Sequence, residues 1–233
     1  MPDISIVPVD RLELAFSPQP WPFAHERRGE IDAHFATLQR ATPALWNGRV
    51  LLLREFEIAG HVFRGSYFDT DFASLLAWRD WNFPDAQVRN CFAMGALRSS
   101  DGAFILGVMG AHTANAGKIY FPAGTPDASD IIGERVDLEG SVLREVEEET
   151  GLTASDFTPA SGWITVLAGS YIAQMKVLHA DADAVELRAR ILDHLAQETQ
   201  PELADICIVR SPADFNPMMQ SFMTAFLSYM WKR

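Results

Sequence analysis

Apolar residues along the chain fall into runs with strand-like and helix-like spacing. Ile4, Ile6, Val7, Val9, Leu12 and Leu14 predict one opening strand across residues 3–16, ended by three prolines within residues 17–23. Residues 24–41 set Ile31, His34, Phe35 and Leu38 on one helical face. Val50-Leu51-Leu52-Leu53 and the stretch Phe56 to Phe63 predict a strand hairpin, and Thr70 and Asp71 can cap a short helix over 71–80. From about residue 88 the pattern changes. Strands are expected at 92–98 and 103–109, joined by the turn Ser99-Ser100-Asp101-Gly102, and again at 118–121. A helix follows from about Asp137 to Thr150 and stops at Gly151. Strands at 161–167 and 171–180, an amphipathic helix over 183–197, a strand over 204–210 and a closing helix over 217–232 complete the order. The expected class is α+β, with residues 1–87 as an N-terminal α/β extension packed on a core of residues 88–233.

Composition narrows the partners. Hydrophobic residues make up 48% and charged residues 21% of the 233, enough for a packed core. A net charge of -12 argues against nonspecific nucleic-acid binding, because phosphates are repelled. Handling a small phosphorylated ligand then requires a local source of positive charge. Cys91 and Cys207 form no metal-binding spacing and read as thiols of a reducing compartment. No basic leader and no run of apolar residues of membrane-spanning length is seen, so the expected location is cytoplasmic, away from the membrane.

Glu145, Glu148 and Glu149 carry the chemistry. Their i, i+3, i+4 spacing puts three carboxylates on one helix face, in the last turns, where both mutual repulsion and the helix dipole disfavour them. A solvated acidic face is the plain alternative. A bound hard cation, Mg²⁺ or Mn²⁺, offsets both penalties. The neighbours favour the cation. Phe121-Pro122-x-Gly124 opens the preceding loop, Arg144 precedes the first glutamate, and Gly151-Leu152 closes the helix.

This stretch resembles the Nudix box, whose pattern is Gly, five residues, Glu, seven residues, then Arg-Glu-apolar-x-Glu-Glu-x-Gly-apolar. Its second half matches at Arg144, Glu145, Val146, Glu148, Glu149, Gly151 and Leu152. The resemblance implies a Nudix-like α/β/α sandwich with a mixed sheet over roughly residues 88–212. It also implies divalent metals on Glu145, Glu148 and Glu149, an Arg144 that orients a glutamate, and hydrolysis of a nucleoside diphosphate linked to another moiety. The first half departs from the pattern. Counting back from Arg144, the expected Glu falls on Val136 and the expected Gly on Asp130, whereas Gly124 lies six residues further upstream. Loop 125–136 is therefore expanded and is expected to shape the substrate pocket together with Gly124 and Asp137. Asp137 or Glu134 can stand in for the missing glutamate, although Asp137 also suits a helix N-cap. Of Glu198 and Glu202, which precede the last strand, Glu198 is taken as the additional catalytic carboxylate that the family often supplies from a loop. The expanded box, with the upstream Phe63…Thr70-Asp71-Phe72 segment, looks similar to members acting on nucleotide sugars; coenzyme A and dinucleotide hydrolases are the alternatives. A catalytically silent Nudix-like sensor is the reading from another class, although such sensors tend to lose the glutamates retained here.

Other signals fit ordinary roles. Gly110…Gly117-Lys118 separates its glycines by six residues and has Ile119 where a phosphate loop needs Ser or Thr. Trp78 and Trp81, near Phe83, can stack a base but sit at core-like helical spacing. Phe222, Met223, Phe226 and Met230 form an apolar face suited to core packing, with a homodimer interface as the alternative.

Overall fold

The opening segment is two strands, not one. A computed structural model describes residues 4–232 and breaks the chain at Asp10 between β1 (Ile4–Val9) and β2 (Arg11–Phe16), which enter different sheets. The Asp10 amide donates to the His61 carbonyl at 2.7 Å, which fixes the corner. The expected first helix is likewise split, into α1 (Pro22–Glu26) and α2 (Arg28–Ala41), because Arg27 leaves the helical region at φ -106°, ψ 19°. The expected hairpin also differs. Its two apolar stretches lie mostly on one long strand, β3 (Arg49–Ala59), which carries an irregularity between Leu53 and Glu55. The chain reverses later, at Gly60 and His61, both with positive φ, and returns as β4 (Val62–Asp71). α3 (Phe72–Asp80) follows, with the Asp71 side chain accepting from the Ser74 amide as its N-cap.

The remaining elements are β5 (Asn90–Arg98), β6 (Phe104–Met109), β7 (Ile119–Tyr120), β8 (Ile131–Ile132), β9 (Arg135–Val136), α4 (Leu138–Thr150), β10 (Phe157–Pro159), β11 (Trp163–Ala168), β12 (Tyr171–Ala180), α5 (Ala184–Leu195), β13 (Leu203–Val209) and α6 (Ser221–Met230). One mixed sheet runs β1-β11-β12-β5-β6-β13, with β5 and β12 parallel. The second runs β3-β4-β2-β9-β8. The two halves of the chain therefore exchange strands. β1 joins the sheet of the later residues, and β9 pairs with β2 at Ala15 and Arg135. Leu51, Leu53, Phe63 and Tyr67 from the first half are fully buried in the same apolar cluster as the second half.

Helices cover both faces of the first sheet. A Cβ at Gly95 on β5 would meet Val146 and Val142 of α4, while Phe92 on the same strand meets Phe222 of α6 at 5.9 Å between ring centres. The arrangement is an α/β/α sandwich built on a mixed sheet. Phe222, Met223, Phe226 and Leu227 of α6 are buried in its core. β5 and β6 pair only at Arg98 and Phe104, so the strands spread apart. The segment 118–122 enters the gap: Gly107 pairs with Tyr120 on one side, and the Gly95 amide donates to the Pro122 carbonyl on the other. This threading carries Gly124 to the last turns of α4. Among the described residues no helix is long and apolar enough to cross a membrane.

Candidate active site

α4 starts and stops as its sequence requires. Asp137 accepts from the Gly140 amide at 3.0 Å, and Gly151 ends the helix at φ 69°. This accounts for Asp137 as a cap; it sits at the opposite end of the helix from the glutamates, about 12 Å from Glu145 and about 18 Å from Glu149 along the axis. A substrate-binding role is not supported by that position.

The three glutamates occupy graded environments. The side chain of Glu148 is 63% exposed, that of Glu145 14%, and Glu149 is 4% exposed as a residue. Burial pushes the Glu145 carboxyl up to about 7; Arg144 pulls against that shift, and Glu148 and Glu202 add to it. Burial also raises Glu149 well above the usual carboxylate range, reinforced by Glu202, Glu145 and Glu148, although the Ala123 amide donates to its Oε1 at 3.1 Å. Its Oε2 is buried without a hydrogen-bond partner. Gly124 faces the trio directly: a Cβ there would lie 2.5 Å from Glu145 Oε1. A side chain at this point would push the Glu145 carboxylate aside, and the space that the glycine leaves lies against that carboxylate.

Arg144 clamps the site from the loop side. Its Nη1 donates to Glu145 Oε1 at 2.6 Å and its Nη2 donates to Asp130 Oδ1 at 2.7 Å, while Glu148 lies 3.8 Å away. Asp130 is 4% exposed, and its other oxygen accepts from the Asp127 amide at 3.0 Å. Asp130 thus takes the place expected for Asp137 or Glu134 as the acidic partner upstream of the helix. It stands where the box pattern calls for its glycine, and it reaches Arg144 because Ala128–Asp130 forms a 3₁₀ turn capped by Asp127.

Loop 125–136 is ordered but turns mostly away from the glutamates. The Leu51 amide donates to the Pro126 carbonyl, and β8 and β9 run back to β2. Of residues 125–136, Thr125 alone lines the cavity beside Gly124, so the loop serves the Arg144 clamp more than the pocket wall.

Glu202, not Glu198, is the further carboxylate in electrostatic reach of Glu145 and Glu149. Glu198 pairs with His194 at 3.4 Å, and His194 Nε2 lies 3.2 Å from the Glu148 carbonyl, beside Gly151. Glu198 therefore supports the end of α4. Glu202 was not singled out by sequence because both acids precede β13 and only the chain's path separates them; the Gly110 amide, bonded to the Glu202 carbonyl at 2.7 Å, ties that path down.

A cavity of about 590 Å³ opens beside Ala123 and Gly124, within the size range of small-molecule sites. Trp78 does not line it: the side chain is fully buried and its indole N–H donates to the Asp85 carbonyl at 3.1 Å. Trp81 packs edge-on against Phe23 and under Arg27. Trp78 is a core residue, and Trp81 is partly buried and packs against the core.

Among the described residues no three His, Cys, Asp or Glu side chains form a ready-made cation cage. The donor set nevertheless suits a hard cation. Glu149 keeps an orphaned oxygen, Glu148 is open, Gly124 leaves room, and Mg²⁺ usually completes its shell with water and substrate phosphates.

No protein-family model matches this chain, and no curated relative matches it. Solved structures similar to it include the Nudix hydrolase RenU from M. smegmatis, at 15% identity and TM-score 0.38, covering 61% of this chain and 82% of that one. The MutT protein from Methanosarcina mazei Go1 aligns at 19% identity and TM-score 0.41, covering 62% and 94%, and a C. elegans Ap4A hydrolase at 16% and 0.38, covering 61% and 99%. Likeness at this level decides nothing about chemistry.

Proposed function

We propose that this chain is a Nudix-type hydrolase that uses Mg²⁺ or Mn²⁺ to cleave the diphosphate linkage of a nucleoside diphosphate joined to another group. The observation that carries the reading is the cluster at the end of α4: three glutamates beside a glycine whose missing side chain leaves space against Glu145, with one buried carboxylate oxygen unpartnered. Glu145, Glu148 and Glu149 would hold the cation. When bound, the cation supplies charge neutralisation for the diphosphate and acidifies a water.

The chain's own residues do the rest. Arg144, fixed by buried Asp130, holds Glu145 in place and keeps Glu148 close. Glu202 faces the same region and is suited to accept the proton of the attacking water. The cavity lined by Gly124 holds one end of the substrate so that attack at phosphorus is in line. The experiment is a screen of Mg²⁺- and Mn²⁺-dependent turnover over nucleotide sugars, coenzyme A, dinucleotides and nucleoside triphosphates. Turnover of a diphosphate-linked member supports the reading. Binding without turnover of any member, with any divalent ion, identifies a sensor instead.

A further inference from the structure

A separate cavity of about 380 Å³ lies where the two sheets meet, at the start of α4. Arg11, Leu12 and Leu14 of β2 and Arg135 and Val136 of β9 wall it from one sheet; Trp163 of β11 and Lys176 of β12 wall it from the other. Leu138 and Glu139 of α4 close one side. Its size falls at the small end of the range for small-molecule sites. None of the three metal-site glutamates lines it, and Glu139 precedes Glu145 by about 9 Å along the helix axis.

The charged groups in its wall are unequally committed. Lys176 is 6% exposed, and its Nζ lies 4.9 Å from the centre of the Trp163 ring. A buried ammonium needs a counterion. Its partner is Glu139, at 2.8 Å, whose side chain is 53% exposed. The pair is lopsided: Glu139 can turn into water at little cost, whereas Lys176 is fixed by its strand and its burial. Arg135 is exposed and has no ion-pair or side-chain hydrogen-bond partner among the described residues. Arg11 is held by Glu13. On the acidic side, Asp137 is engaged as the α4 cap, and Asp10, at the corner between β1 and β2, has no side-chain partner among the described residues. Three acids against three cations suit a ligand of single charge and oppose a polyphosphate.

We propose that this cavity is a second ligand site, for a small monocarboxylate that carries a short apolar chain or ring. The ligand's carboxylate takes the place of Glu139 on Lys176, with exposed Arg135 as a second cation. A carboxylate is the group this lysine already has as its counterion. The apolar body lies against Leu12, Leu14, Val136, Leu138 and Trp163, of which all but Leu12 are buried, so little water stays beside it. The site does not rest on the hydrolase reading.

The test is calorimetric titration of the full chain in EDTA with hexanoate and benzoate, against hexanol, benzyl alcohol and hexylamine. The better carboxylate should bind roughly tenfold or more tighter than its alcohol, which lacks the charge-assisted pair. Lys176→Met, which keeps most of the side chain's bulk, should bring that carboxylate down to the affinity of the alcohol. Arg135→Gln should weaken it roughly threefold. Glu139→Gln should tighten it several-fold, because the competing carboxylate is gone; a residue that only supports the fold would not give a tighter ligand on removal. Melting temperatures check each variant for an intact fold, and if Lys176→Met does not fold, the other two decide. Equal affinity for carboxylate and alcohol, tighter binding of hexylamine, or a Glu139→Gln variant no tighter than wild type would overturn the site, and an unchanged Arg135→Gln would remove Arg135 from it. Added Mg²⁺ should leave the affinity unchanged; binding that requires Mg²⁺ would put the carboxylate at the α4 glutamates and overturn the proposal. Absence of turnover on every diphosphate-linked substrate removes the hydrolase and leaves this site standing.

Discussion

At the residue scale the cost of the site is visible in the carboxylates. The Glu145 carboxyl sits at about 7 against an ordinary 4.5, because burial disfavours its anion. The folded protein holds a proton there that the unfolded chain releases, so this group contributes stability below the unfolded value and loses it as pH rises through the folded one. Glu149 acts in the same direction. In EDTA, the melting temperature of the wild type should therefore fall relative to Glu145→Gln between about pH 5 and about pH 8. Mg²⁺ should reverse the fall, since a cation on the folded state competes with the proton. Parallel curves for the two proteins would contradict the assignment. Asp130 gives a second expectation. Asp130→Asn removes the charge that anchors Arg144, so kcat/KM should drop on the order of 10–100-fold, as when outer-shell partners of metal ligands are lost. An unchanged kcat/KM would mean that Arg144 needs no clamp. The glutamate trio was legible in the sequence because its geometry is local, set by helix spacing alone. Asp130 and Glu202 were not, because each reaches the site only through the path of the folded chain.

At the scale of elements, helix signals were read more faithfully than reversals of the strands. Asp137 and Gly151 bound α4 as expected, and Asp71 and Asp183 cap α3 and α5. The β3–β4 turn was missed because His61 adopts a positive φ, unusual for a residue with a Cβ, and the bulge after Leu53 interrupts the alternation. The opening segment read as one strand because apolar alternation runs through Asp10 without showing which sheet each half joins. Asp137 separates cap from substrate contact experimentally. Asp137→Ala should cost about 1 kcal/mol of stability, seen as a lower melting temperature, while KM for the best substrate stays the same. A raised KM with unchanged stability would restore Asp137 to the pocket.

At the scale of the whole molecule, the proposed function asks an acidic protein to handle an anionic substrate. Its net charge of -12 repels phosphates at long range, so attraction has to be local. Two local sources are present: a carboxylate cluster suited to a divalent cation, and Lys118 in the adjoining cavity. The exchange of β1 and β9 between the sheets holds α3, which carries Phe72 and Arg79, against the sandwich that carries the glutamates. Composition could argue against nucleic acid, but it carried no trace of this joint construction, which depends on long-range pairing. The most direct measurement of the central claim compares wild type with Glu148→Gln on the best diphosphate-linked substrate at saturating Mg²⁺. Glu148 is the most exposed of the trio, so the substitution disturbs packing least. Turnover should fall below detection in the variant, while its melting temperature without Mg²⁺ holds or rises as like-charge repulsion is relieved. Turnover within a few fold of wild type would contradict the assignment of the α4 glutamates as the metal site.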